Sequence, residues 1–240
     1  MNKQIGLWEL IKEDFSIPNK NDPALHSKLE LIFNYPGVWA IVNYRISNRL
    51  YKKGFKRFAR ICSGFSQLLT NTDIHPCANI GRRVFIDHGF GVVIGETTII
   101  ENDVLIYQGV TLGGVSLSHG KRHPTIKSNV VIGSGAKVLG DIVIGEHSKI
   151  GANSVVVKDV QDHCTAVGVP ARVIKRKKTT SQLLDHNELP DISKEMFAYL
   201  LKRVAVLEHA IKEQDNIDVS KEDAELEVIY ENFIDAMKKD

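Results

Sequence analysis

Asp73 and His88 are the pair in this chain best suited to moving a proton. A carboxylate beside an imidazole fixes the ring's tautomer and stabilises its charged form, as a general base acting on a hydroxyl requires. The two belong to separate polar clusters, Asp73-Ile74-His75-Pro76 and Asp87-His88-Gly89-Phe90-Gly91. A third polar stretch, residues 116–125, reads Ser-Leu-Ser-His-Gly-Lys-Arg-His-Pro-Thr and carries Arg122 and His123. Just before it, Gly113 and Gly114 offer bare backbone N–H groups suited to an oxyanion. A lone histidine is more often structural, and an Asp–His pair is often a surface ion pair. The clustering of several such groups on one scaffold points to chemistry.

The scaffold is a repeat. An aliphatic or small residue returns every six positions at Ile74, Ile80, Ile86, Val92, Thr98, Val104 and Val110, then at Ile126, Ile132, Val138, Ile144, Ile150 and Val156. On a helix, six steps rotate by about 240°, so these residues share no face. On an extended chain six is a multiple of two, and they all point one way. Short strands with an inward aliphatic and glycine-permitted corners are a hexapeptide β-helix, expected over residues 71–175. Thr98 is the one non-aliphatic member. The register jumps by sixteen between Val110 and Ile126, which predicts a loop at 116–125 walling a site. Asp73 and His88 stand fifteen apart, close to one eighteen-residue coil, so neighbouring rungs are expected.

Residues 1–70 predict a helical cap. Ile5, Leu7, Trp8, Ile11 and Phe15 have helical spacing, stopped at Pro18. Asn21-Asp22-Pro23 looks like a helix entry, with Leu25, Leu29, Ile32 and Phe33 continuing that helix. Pro36-Gly37 breaks it, and a further helix is expected over 38–53 with Trp39, Val42, Ile46 and Leu50 on one stripe. Residues 55–70 form the last helix of the cap. The tail, 176–240, predicts a helix over 193–214 carrying Phe197, Leu200, Val204, Leu207 and Ile211, and another over 222–237.

Charge is unevenly spread: residues 1–70 carry 11 basic and 5 acidic side chains, residues 180–240 carry 7 and 15. The basic residues have no interleaved aromatic platform, which argues against nucleic acid. No apolar run is long enough for a membrane span. Three cysteines, Cys62, Cys77 and Cys164, have neither disulfide-framework nor zinc spacing, so a reducing, cytoplasmic setting without metal is expected.

Asp73-Ile-His-Pro, Ile86-Asp-His-Gly, Val93-Ile-Gly-Glu-Thr, Val110-Thr-Leu-Gly-Gly, Arg122-His-Pro and Gly168-Val-Pro-Ala-Arg together resemble serine O-acetyltransferase, over about residues 20–175. The resemblance implies a mainly β fold: a left-handed parallel β-helix with an N-terminal helical cap and a C-terminal helical tail. It implies transfer of acetyl from acetyl-CoA to L-serine, the first step of cysteine synthesis. By position, His88 matches the general base and Asp73 the carboxylate behind it. Asp22 and Asp87 match the groups that hold the amino group, and Arg122 and His123 those that hold the carboxylate. Asp22 is equally the cap of the helix it begins. Glu96 would support the site from behind. Acetyl-CoA would lie along the coil near Gly113, Gly114, Ser134 and Ala152.

The resemblance also implies a homotrimer inhibited by L-cysteine. The long form of the family adds helices that join trimers into hexamers; the shorter head here leaves a hexamer possible without requiring it. The chain ends Ala236-Met-Lys-Lys-Asp240 without the family's terminal isoleucine, so a complex with O-acetylserine sulfhydrylase is not expected. Another small alcohol, such as homoserine or a sugar, is the alternative acceptor. Acidic groups at one end of the site and basic groups at the other favour a zwitterion over a sugar. A non-catalytic β-helix scaffold would need no such set.

Overall fold

The computed structural model describes residues 5–27, 29–175, 197, 199–205 and 207. From Asp73 onward the chain winds as a left-handed parallel β-helix with three faces. The first face stacks β1 (Asp73–Ile74), β4 (Val93–Ile94), β7 (Thr111–Gly113), β10 (Lys137–Leu139) and β13 (Val155–Val156). The second stacks β2 (Asn79–Ile80), β5 (Ile99–Ile100), β8 (Thr125–Ile126) and β11 (Val143–Ile144). The third stacks β3 (Phe85–Ile86), β6 (Leu105–Ile106), β9 (Val131–Ile132), β12 (Lys149–Ile150) and β14 (Cys164–Gly168), and closes with antiparallel β15 (Ala171–Lys175).

The inward side chains are Ile74, Ile80, Ile86, Ile94, Ile100, Ile106, Leu112, Ile126, Ile132, Val138, Ile144, Ile150 and Val156, all buried. Each contributes about 1.5–3 kcal/mol by leaving water. The expected register therefore holds from Ile74 to Ile86 and from Ile126 onward, and is wrong between them. Val92, Thr98, Val104 and Val110 are buried too, but each lies two positions before the inward residue of its strand. The ten extra residues are split: two enter the corner after Ile86, where His88 sits, and eight enter the loop after Leu112. Thr98 fits this second set of buried residues, and its Oγ1 has no hydrogen-bond partner among the described residues.

Before the coil come α1 (Leu7–Ser16), α2 (Pro18–Asn21), α3 (Glu30–Phe33), α4 (Pro36–Lys52) and α5 (Lys56–Thr70). Pro18 begins α2 after α1 has ended, a favourable first position because its missing N–H would be unpaired there anyway. Of the helix expected from Asp22 through Phe33 only α3 at its end is helical among the described residues. Asp22 instead ends α2, and its Oδ1 accepts the Ala24 N–H at 2.8 Å, forming an Asx turn. Helix α4 starts at Pro36, and its buried face is Val38, Ile41, Val42 and Arg45; Ile46 is exposed. An apolar cluster of Ile17, Leu31, Tyr35, Val38 and Val42 packs on Phe85, Leu105 and Val131 of the third face.

The first coil has no rung beneath it, and side chains from α4 and α5 take the place of one. Tyr44 Oη donates to Ala78 O at 2.6 Å and accepts the Ile80 N–H at 3.1 Å. Arg45 donates to Ile80 O and Gly81 O, both at 2.7 Å, and pairs with buried Asp14 of α1. Asn48 reaches Pro76 O at 2.8 Å, and Ser63 reaches Ile74 O at 2.8 Å. Each would otherwise leave an edge carbonyl unpaired in a dry contact, a loss of about 1–3 kcal/mol.

Gly37, in the first turn of α4, sits against the coil where a side chain would not fit. A Cβ there would lie 2.0 Å from Ile86 O, while a Cβ at Gly89 would lie 3.0 Å from Gly37 N. Gly37→Ala should therefore lower stability by about 1–3 kcal/mol, despite alanine's better helix propensity. Thermal unfolding should show a melting temperature lower by about 2–12 °C. An unchanged or higher value would mean the contact is looser than described.

Residues 199–205 of the tail are helical, with Leu200 and Val204 exposed. Ile211 and the segment expected at 222–237 lie outside the described residues. No helix among the described residues is long and apolar enough to cross a membrane.

Candidate active site

The corner between β3 and β4 carries Asp87, His88, Gly89 and Gly91. His88 takes φ +60°, the left-handed region, and its side chain is exposed. The corner is held by Thr72 Oγ1 donating to Gly89 O at 2.9 Å and by the Gly91 N–H donating to Asn71 O at 2.8 Å. Asp22 comes to this corner from the head. Its Oδ2 accepts the Tyr35 hydroxyl at 2.6 Å, leaving the carboxylate fixed by two donors. Burial pushes the Asp87 carboxyl up; nearby His88 opposes this and the Asp22 carboxylate adds to it. Burial, and then the Asp22 carboxylate, push the Tyr35 hydroxyl up; Tyr107 is raised by burial and by Asp87 and Asp22. Two carboxylates converging beside apolar and phenolic surface are relieved by a cation, and a primary ammonium has the size and donors for it.

Asp73 opens β1, one rung below Val93. Among the described residues no hydrogen bond joins its carboxylate to the His88 ring. The expected neighbouring rungs are present without a closed contact.

The second polar group lies at the corner between the first and second faces. Arg122 donates to Glu96 Oε2 at 2.6 Å and to Ser118 O at 3.1 Å. The Arg122 guanidinium holds the Glu96 carboxyl below its ordinary value. Thr97 Oγ1 accepts the backbone N–H groups of Arg122 (3.0 Å) and His123 (3.1 Å) and lies 2.8 Å from His123 Nδ1. His123 is 7% exposed, and its ring lies across Gly95, where a Cβ would meet Nε2 at 2.1 Å. Burial lowers the His123 pKa, and Arg122 and Lys121 lower it further. A guanidinium and an imidazole, both braced from behind, suit a carboxylate.

One chain does not bring the two groups together. His88 precedes β4 and Glu96 follows it, and at ~3.3 Å per residue the run 91–95 sets the corners ~13 Å apart. No hydrogen bond or ion pair among the described residues links them. A small amino acid spans roughly a third of that distance.

The register of the third face runs on into an edge beside the His88 corner. Phe85 pairs with Leu105, Leu105 with Val131 and Val131 with Lys149. Beyond the strands the Gly109 N–H donates to Phe90 O, the Gly135 N–H to Gln108 O and the Asn153 N–H to Ser134 O, which stacks Phe90, Gln108, Ser134 and Ala152 on one edge, with His88 in the two-residue insertion just before it. Gln108 Oε1 is buried without a partner among the described residues. Gly113 pairs with Leu139, and Gly114 lies against Arg122 and His123 rather than His88.

His75, Cys77 and Glu96 bring a nitrogen, a sulfur and a carboxylate oxygen within 4.8 Å of one another. The Cys77 N–H donates to His75 Nδ1 at 3.0 Å, and burial, ahead of Arg60, lowers the His75 pKa. The neutral ring's proton is therefore on Nε2, and Glu96 is already paired with Arg122. The group suits a hydrogen-bonded corner better than a metal.

Sequence reasoning missed Tyr35, Tyr107 and Thr97. Tyr35 stands just before Pro36 with no spacing signal, and Thr97 reads only as a corner threonine. The role of the Thr97 hydroxyl appears only once the 114–124 loop folds back over residues 95–97.

Residues 123–158 match a family model described as bacterial transferase hexapeptide (six repeats). A serine acetyltransferase from Synechococcus elongatus is 47% identical over 206 residues, covering 86% of this chain and 84% of that one. The crystal structure of a serine acetyltransferase from Vibrio cholerae superposes with a TM-score of 0.71 at 40% identity, over 76% of this chain and 71% of its own. A serine acetyltransferase solved in complex with cysteine superposes at 0.68 with 42% identity, over 70% of each chain.

Proposed function

The chain belongs to the serine acetyltransferase family, and from that premise we propose how its residues divide the work. The enzyme transfers acetyl from acetyl-CoA to the hydroxyl of L-serine, giving O-acetyl-L-serine and CoA. His88 removes the hydroxyl proton as the serine oxygen bonds to the thioester carbonyl carbon. The carbon–sulfur bond breaks, and the imidazolium returns its proton to the leaving thiolate. Asp73 stabilises that imidazolium. Asp22 and Asp87 hold the serine ammonium, with Tyr35 fixing Asp22. Arg122 and His123 hold the carboxylate, with Glu96 bracing Arg122. Gly113, Gly114, Ser134 and Ala152 line the path of acetyl-CoA.

The observation that carries this reading is the convergence of Asp22 on Asp87 beside His88, a cation site next to a base. The separation of that corner from Arg122 and His123 supports a site shared between chains, as in a cyclic homotrimer. The apolar stripe of α5 supports assembly as well: Phe58, Ile61, Phe65, Leu68 and Leu69 are each at least 55% exposed, unusual for a free surface. Residues 1–70, 71–175 and 176–240 are read as cap, coil and tail. The three free cysteines, Cys62, Cys77 and Cys164, support a cytoplasmic setting.

The test is CoA release from acetyl-CoA with serine, homoserine and a sugar as acceptors. Serine should be preferred by orders of magnitude; equal turnover of the sugar would overturn the assignment of the charged groups. L-cysteine carries the same ammonium and carboxylate and should compete with serine, in line with the relative that holds cysteine. In a titration at several serine concentrations, cysteine should raise the apparent KM for serine. An unchanged KM would refute a shared site.

A further inference from the structure

We propose that Thr97 is a positioning residue that locks the His123 ring proton on Nε2, making the imidazole a hydrogen-bond donor to the substrate carboxylate. The inference rests on the reading of the site as one for an amino acid.

The argument needs only the direction of each hydrogen bond. The Thr97 backbone N–H points at His123 Nδ1, 3.2 Å away, and a backbone N–H can only donate. Nδ1 therefore accepts. The Thr97 hydroxyl oxygen already accepts two N–H groups, from Arg122 and His123. Both its lone pairs are engaged, so its hydrogen is left for Nδ1, 2.8 Å away. Two donors converge on one nitrogen, and a proton there would face both.

The ring is buried among the charged neighbours Arg122, Lys121 and Glu96 and the titratable ring of His75, and its pKa is lowered chiefly by burial. A neutral ring without a proton on Nδ1 carries it on Nε2. Gly95 and Gly114 clear the space around that nitrogen, since a Cβ at either would come within 2.1 and 3.2 Å of it. Nε2 has no hydrogen-bond partner among the described residues. A carboxylate only accepts, so Nε2–H is the useful tautomer. The other tautomer would turn a lone pair toward a negative charge. Thr97 also ties down the backbone of Arg122, so one hydroxyl organises both donors.

The test compares Thr97→Val, which keeps the branched shape and loses the hydroxyl, with Thr97→Ser, which keeps the hydroxyl. In the full-length enzyme, Thr97→Val should raise KM for serine about 10–100-fold with little change in kcat. Thr97→Ser should restore it. Ethanolamine, which is serine without its carboxylate, should lose far less, so the serine-to-ethanolamine ratio of kcat/KM falls. In a His123→Ala background, Thr97→Val should add little. Equal losses for both acceptors, or fully additive losses with His123→Ala, would overturn the proposal. Nitrogen-15 NMR of the unsubstituted protein, with the His123 signals assigned by loss in His123→Ala, should show Nε2 protonated. Protonated Nδ1 would overturn the proposal whether or not the variants fold. If the unsubstituted enzyme fails to discriminate serine from ethanolamine, the amino-acid reading fails instead.

Discussion

Replacing His88 lowers turnover of serine by about 10²–10⁴-fold, the usual cost of losing a general base. Asparagine is the better replacement than alanine. His88 sits at φ +60°, where asparagine is tolerated and alanine adds strain. With the corner kept by Thr72 and Asn71, His88→Asn should fold, assemble and bind both substrates. The loss should fall on kcat. Asp73→Asn should cost less, because the base remains and loses only its partner. The open Asp73–His88 contact does not weaken this expectation, since catalytic hydrogen bonds often close only around substrate. CoA release at saturating serine decides it, and near-full activity of His88→Asn would end the proposed mechanism.

Two inactive variants should make an active enzyme. If His88 of one chain works with Arg122 of a neighbour, His88→Asn and Arg122→Ala damage opposite halves of each site. Assembled together at equal amounts, the chains of a ring place an intact His88 against an intact Arg122 in roughly a quarter of the sites. Activity of the mixture should rise from almost nothing to about that fraction of the unsubstituted enzyme. Preassembled trimers mixed without exchange should stay inactive. If co-assembled chains remain as inactive as their parents, each site is built within one chain, and the ~13 Å between the two corners would have to close by movement.

The coil was legible because its signal is redundant: each inward residue from Ile74 to Val156 repeats the same demand. The same redundancy hid the register shift. Val92, Thr98, Val104 and Val110 recur every six residues as faithfully as Ile94, Ile100, Ile106 and Leu112, and both sets are buried. Periodicity cannot tell one from the other, and Thr98, too polar for a strand centre, was the one residue that hinted at it. The charged residues proposed for the site were picked out by their motifs. Their division between two corners was not, because sequence gives the rung of a residue more readily than its edge. The head was read least well. Asp22-Pro23 carries the signals of a helix start, but its carboxylate is used by Ala24 and Tyr35 instead. The stripe Trp39, Val42, Ile46 and Leu50 fitted helical spacing as well as the buried one does. Arg45 betrayed nothing of its burial, because its partners Asp14, Ile80 and Gly81 are distant in the chain.

The side chains that Tyr44, Arg45, Asn48 and Ser63 lay against the first coil bear on more than stability. A parallel coil exposes at each end a row of backbone groups matched in spacing to its own other end, a template for endless stacking of one molecule on the next. Here the leading row is taken by side chains that have no such spacing, and the trailing row of the third face by β15, which runs backwards. A filament would have to displace about four buried hydrogen bonds at one end and peel away a strand at the other. End-to-end stacking is thus opposed at the head of the coil and on one of its three faces at the tail, and substitutions at Tyr44 or Ser63 should first be watched for fibres.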